Sequence, residues 1–92
     1  MTTKLTPAEI VTHLETLDGW TVDDMLRKTY RFADFQAAIA WVVRVAFLAE
    51  AHAHHPDLDI RYNRVLVALT THDADGISPK DFALAQAIDG IE

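Results

Sequence analysis

Asp57-Leu58-Asp59-Ile60-Arg61-Tyr62-Asn63-Arg64-Val65-Leu66-Val67-Ala68-Leu69-Thr70-Thr71 places an alternating apolar/polar run before a turn and a mostly apolar run after it. Leu58, Ile60 and Tyr62 interleave with Asp57, Asp59 and Arg61, the period-two pattern of a half-buried strand. Asn63 marks the turn. Beyond it Val65, Val67 and Leu69 face one way, while Leu66, Ala68, Thr70 and His72 face the other. The stretch predicts a β-hairpin with one apolar face, and such a face must be covered by another layer.

Working outward, a second hairpin precedes it. Trp20-Thr21-Val22, the acidic turn at Asp23-Asp24, and Leu26 to Phe32 read as two strands. Leu26, Tyr30 and Phe32 share one face, and Arg27, Thr29 and Arg31 share the other. Asp34 caps the longest helix, expected to run to about Ala51, with Phe35, Ile39, Val42, Val43, Ala46 and Phe47 as its core-facing stripe. Trp41 and Phe82 are also assigned to packing. Thr6-Pro7-Ala8-Glu9 opens an earlier helix with cap, proline and capping-box acid, and Gly19 follows as its stop. Ser78-Pro79-Lys80-Asp81 repeats that signature before a last helix carrying Phe82, Ala85 and Ile88. The order α-β-β-α-β-β-α predicts an α+β two-layer sandwich, with three helices on one face of a four-stranded antiparallel sheet. Residues 1–92 are read as a single domain.

Composition narrows the function. Half of the 92 residues are hydrophobic and 24% are charged, as in small globular proteins. A net charge of -6 argues against nucleic-acid binding and against docking on an anionic membrane. Cysteine is absent, so thiolate nucleophiles, thiolate metal sites and disulfides are excluded. Met1-Thr2-Thr3-Lys4 carries no apolar leader, and no apolar run approaches membrane-spanning length. The expectation is a soluble, cytoplasmic protein. A core this small gains from self-association, and Ala37, Ala38, Ala40, Val45 and Ala49 offer a second helix face for it.

The chemistry gathers in Glu50-Ala51-His52-Ala53-His54-His55-Pro56 and at His72, which together hold four of the five histidines. Pro56 disfavours helical geometry at His55, so the imidazoles stand where the long helix ends. Free carbonyls at a helix end favour protonated imidazole. Two or three imidazoles around a polar ligand can donate one proton and accept another, as a dehydration requires. Glu50, one turn before His54, is placed to orient its ring. Zinc is the competing reading, but the 52/54/55 spacing lacks the i,i+4 pair of a helical zinc motif. No metal site is expected.

Glu50, His54, His55, Pro56, Tyr62, His72 and Asp81 together resemble the signature of the pterin-4a-carbinolamine dehydratases. The likeness extends to Leu17-Asp18-Gly19-Trp20, Leu69-Thr70-Thr71-His72 and Gly76-Ile77-Ser78. It implies dehydration of 4a-hydroxytetrahydropterin to quinonoid dihydropterin without metal or organic cofactor. By that likeness His54 and His72 are the acid/base groups, and His55 chiefly binds and positions the ring. Trp20, Glu50, Asp57, Thr70 and Thr71 are the expected substrate-binding residues. Asp81 matches a motif acid but also reads as the cap of the last helix, and Tyr62 either closes the pocket or packs beside the hairpin turn. Two departures stand out: Ala53, where many relatives would carry a polar residue such as asparagine, and Leu58 in place of an aromatic. The resemblance also implies a homodimer or homotetramer. The alternative function is a non-catalytic dimerisation or binding module working through the surface of the long helix.

Overall fold

The computed structural model describes residues 3–91; Met1, Thr2 and Glu92 lie outside the described residues. The chain runs α1 (Pro7–Leu14), β1 (Thr21–Val22), β2 (Leu26–Arg31), α2 (Phe35–Ala51), β3 (Asp57–Arg61), β4 (Arg64–Leu69) and α3 (Pro79–Asp89), with a short 3-10 turn at His72–Ala74. The four strands form one antiparallel sheet in the order β1-β2-β4-β3. This is the α+β architecture that the sequence predicts.

Alternation sets the two sheet faces. Leu26, Val65, Val67 and Leu69 are fully buried under the helices. Arg27, Ala68 and Asp57 form one register row on the other face, and Arg31, Arg64 and Arg61 form another. The β3–β4 turn holds Tyr62 at φ 54. Tyr62 is 66% exposed at the end of the hairpin and is not among the residues that line the histidine pocket.

Both cap-proline-acid signatures form complete capping boxes, Thr6 with Glu9 and Ser78 with Asp81. Phe82, Ala85 and Ile88 of α3 are buried as expected.

The orientation of α2 differs from the expectation. Ala38, Trp41, Val45 and Ala49 face the core, while Phe35, Val43 and Phe47 are exposed. The helix is apolar on nearly every side, so periodicity could not choose between its two stripes. The stripe of small residues around Trp41 faces inward, which lets the helix sit close to the sheet. Trp41 then packs its ring on Tyr30 and Phe32.

No helix among the described residues is long and apolar enough to cross a membrane.

Candidate functional site

The end of α2 builds the first wall of the site. His52 is the C-cap, and Ala53 turns into the left-handed region at φ 52. The Ala53 N–H donates to the Glu50 carbonyl at 3.1 Å, and the His54 N–H donates to the Ala49 carbonyl at 3.0 Å. These two bonds make a Schellman motif, which satisfies the last carbonyls and reverses the chain. Pro56 then commits the chain to β3. The reversal points His54 and His55 in different directions from one fixed corner.

The second wall comes from the end of β4. Ala53, His54, His55, Thr70, Thr71, His72, Asp73 and Lys80 line a pocket of about 200 Å³. Volume does not single it out, since shallow depressions of about 300 and 410 Å³ lie on the open sheet face. What distinguishes it is three imidazoles converging from two separate segments, the kind of titratable cluster that proton transfer needs.

Behind the pocket lies a buried carboxylate. Asp81 is fully buried at the third position of α3. Its Oδ1 lies 2.5 Å from His54 Nε2. Its Oδ2 accepts the Thr71 hydroxyl and the Ser78 backbone N–H, both at 2.9 Å. Thr71 and Ser78 hydroxyls meet at 2.7 Å, and Ser78 Oγ also accepts the Lys80 N–H. Every buried side-chain polar atom among the described residues has a partner. Burying a carboxylate is tolerable only with this kind of saturation.

The expected site residues divide accordingly. His54, His55, His72, Thr70 and Thr71 line one pocket. Glu50 does not orient His54: its Oε1 lies 2.6 Å from His55 Nε2, with both side chains largely exposed. The Schellman turn breaks the helical spacing on which the i,i+4 expectation rested. Asp81 takes the orienting place instead. Trp20 is absent from the pocket. It is buried in the core beside the opposite edge strand, and its indole N–H donates to Asp89 Oδ2 at 2.9 Å. Asp57 lines a separate depression with Arg27 and Ala68. His52 is exposed at the helix cap, away from the pocket lining.

Lys80 and Asp73 enter the lining without having been expected there. Asp81 carried a readable signal, because it shares the inward stripe of α3 with Leu84, Ala85 and Ile88. An acid on a buried stripe is more than a cap. Among the described residues no group of three or more His, Cys, Asp or Glu is arranged to hold a metal ion.

Fold and site together define a small α+β protein with a histidine pocket backed by a buried acid. A family model described as Pterin 4 alpha carbinolamine dehydratase matches residues 3–91. The chain belongs to this family. It is 58% identical over 90 residues to a Chloroflexus aggregans protein that bears the pterin-4-alpha-carbinolamine dehydratase name, covering 96% of each chain. A Thermosynechococcus vestitus protein bearing the same name is 48% identical over 92 residues, covering 99% of this chain and 97% of that one. A crystal structure from Brucella melitensis, titled as a transcriptional coactivator/pterin dehydratase, superposes with a TM-score of 0.89 at 35% identity. It covers 94% of this chain and 95% of its own.

Proposed function

We propose that the protein is a hydro-lyase that dehydrates 4a-hydroxytetrahydropterin to quinonoid dihydropterin, for pterin cofactor recycling, by histidine acid/base catalysis. The observation that carries this reading is the convergence of His54, His55 and His72 on one pocket, with Asp81 held behind His54. The reaction removes hydroxide from C4a and a proton from N5, leaving a C=N bond and one water. It therefore needs one group that donates a proton to the leaving oxygen and one that takes the N5 proton.

Asp81 engages Nε2 of His54, so His54 offers its other nitrogen, Nδ1, as the base. His72, exposed on the short turn after β4, supplies the acid. His55 stands on the opposite wall with Glu50 on its ring and positions the heterocycle. Family membership and the names of the relatives support the substrate class. The residues present complete this scheme without metal or organic cofactor, and the setting we assign is cytoplasmic.

The test is the dehydration rate, followed by ultraviolet absorbance under chelator, for wild type, His54→Ala and His72→Ala. The expected result is a wild-type rate well above the spontaneous one that falls at least tenfold in each variant, about 1.4 kcal/mol of barrier. A wild-type rate equal to the blank would remove the enzyme reading.

A second reading has its own observation. Phe47 is 74% exposed on α2, with Val43 and Phe35 each at 49% on the same helix. Large apolar side chains grouped on one exposed helix face mark an interaction surface. The Brucella melitensis relative is titled a coactivator as well as a dehydratase. A non-catalytic module would dimerise or bind a partner through this face, and a homodimer or homotetramer would bury it. The surface differs from the one predicted from sequence, since Ala38, Val45 and Ala49 are in the core.

A further inference from the structure

Thr71 lines the histidine pocket, yet the residue is only 4% exposed and its hydroxyl is committed elsewhere. The direction of each proton in that network can be worked out. Asp81 Oδ2 already receives two donors, the Thr71 hydroxyl and the Ser78 N–H, the setting of a carboxylate, and a carboxylate only accepts, so the proton in its contact with His54 sits on Nε2. Asp81 is then an acceptor only, and Thr71 must donate to Oδ2 across 2.9 Å. A threonine hydroxyl has one proton. In the 2.7 Å contact with Ser78, the donor is therefore Ser78. Ser78 Oγ in turn receives the Lys80 backbone N–H at 3.2 Å, a bond fixed by the start of α3.

The chain runs one way, from the Lys80 N–H to Ser78, to Thr71, to Asp81 Oδ2. The Ser78 backbone N–H fills the remaining place on Oδ2 at 2.9 Å. Only Oδ1 is left for His54.

We infer that Thr71 and Ser78 are positioning residues that act through Asp81. They lock the carboxylate so that His54 stays in the Nε2–H tautomer with Nδ1 available to the pocket. Which nitrogen of a histidine carries the proton is set by the bond its other nitrogen makes. Here the setting is handed back two residues further, to a helix cap. The inference rests on the proposed base role of His54 for its effect on rate, but its effect on the ring does not. It also reassigns Thr71, whose hydroxyl serves the carboxylate and not the substrate.

The experiment compares Thr71→Val, which keeps the shape and removes the hydroxyl, with Thr71→Ser, which keeps the hydroxyl. Ser78→Ala is the second variant. For each, nitrogen-15 spectra report the His54 tautomer and steady-state kinetics report kcat and KM. Circular dichroism selects the folded proteins. Wild type is expected to show one His54 tautomer, protonated at Nε2.

Thr71→Val should give a mixture of tautomers and lower kcat about tenfold, the scale on which outer partners of a functional histidine act. Its KM should stay within about twofold, and Thr71→Ser should restore both readouts. Ser78→Ala should move the tautomer in the same direction by less. A tautomer unchanged in folded Thr71→Val would overturn the inference, as would a loss confined to KM. A tautomer shift in a protein with no dehydratase activity would uphold the relay and remove the proposed reaction.

Discussion

His54 and Asp81 stand 27 positions apart in the chain, yet their side chains share a 2.5 Å hydrogen bond beneath the pocket. Helix α2 ends at one residue's approach and α3 begins at the other's. The carboxylate is fully buried and the imidazole side chain is 11% exposed, so solvent barely competes for the bond. Asp81 is thus both the cap of a helix and the orienting group of a histidine.

Replacing that carboxylate separates its two roles. In Asp81→Asn, keeping the amide oxygen toward Thr71 and Ser78 forces the amide nitrogen toward His54. His54 must then accept at Nε2 and carry its proton on Nδ1, the wrong tautomer for a base facing the pocket. We expect kcat to fall about a hundredfold with the fold intact. Asp81→Ala also strands the Thr71 hydroxyl and the Ser78 N–H in the interior. Losing a buried, fully bonded carboxylate should cost about 3 kcal/mol, read as a lower urea midpoint.

Ala53 offers a change in the opposite direction. It sits at φ 52 in the C′ position of the Schellman motif, where a Cβ is strained. Glycine removes the strain and asparagine tolerates it. Ala53→Gly should raise stability by about 0.5 kcal/mol, since relief at C′ exceeds the added entropy of the unfolded glycine. Thermal melting checks this, and a lower Tm would mean that the alanine methyl has packing value in the pocket wall.

Much of this was legible because local signals and global needs agree. The period-two run before Asn63 and the apolar run after it predict the hairpin, and Thr6-Pro7 and Ser78-Pro79 mark helix starts within a residue of where they form. His54, His55 and His72 stood out by density alone. What was not legible depended on packing. Phe35 and Phe47 lie on an apolar stripe as well spaced as the stripe that is buried, and only the fit of Trp41 against Tyr30 and Phe32 decides between them. Trp20 offers a flat surface for a ring, but β1, which follows it directly, lies at the sheet edge farthest from β3. The i,i+4 spacing pairs Glu50 with His54, but the helix ends at Ala51 and the chain reverses at Ala53, so Glu50 meets His55 instead.

Asp89 makes the stability pH-dependent. Burial pushes its carboxyl up, but hydrogen bonds from Tyr30, Lys28 and Trp20 outweigh that and hold it below its ordinary value of 3.8. Burial first, and then the bond to Asp89, raise the Tyr30 phenol. With Asp89 depressed in the folded state, the unfolded chain binds more protons around that value. The contribution is therefore present above about pH 4 and is lost as pH falls through the folded value. Asp89→Asn should be less stable than wild type by about 1 to 2 kcal/mol near neutrality. That gap should narrow as pH is lowered from about 6 to about 2.5. Asp23 and Glu9 also have depressed carboxyls, but they act equally in both proteins and cancel from the difference. Urea titrations at several pH values give the gap, and a constant gap would mean that Asp89 is not the titrating group.

The exposed face of α2 gives the last prediction. Phe47 is 74% exposed although it is among the largest apolar side chains in the protein. Water gains nothing from such a surface, and a second copy of α2 would remove it from solvent. Wild type should elute well above the 10.3 kDa of one chain. Phe47→Glu places a charge where the two copies would meet, and burying an unpaired charge is costly enough to dissociate them. His54, His55, His72 and Asp81, on which the proposed reaction rests, all belong to one chain, so the monomer should keep its dehydration rate within about twofold. Light scattering and the absorbance assay on the same samples decide the matter. A monomeric wild type would leave the face open for a different protein, and a dissociated Phe47→Glu without activity would mean that the pocket depends on assembly.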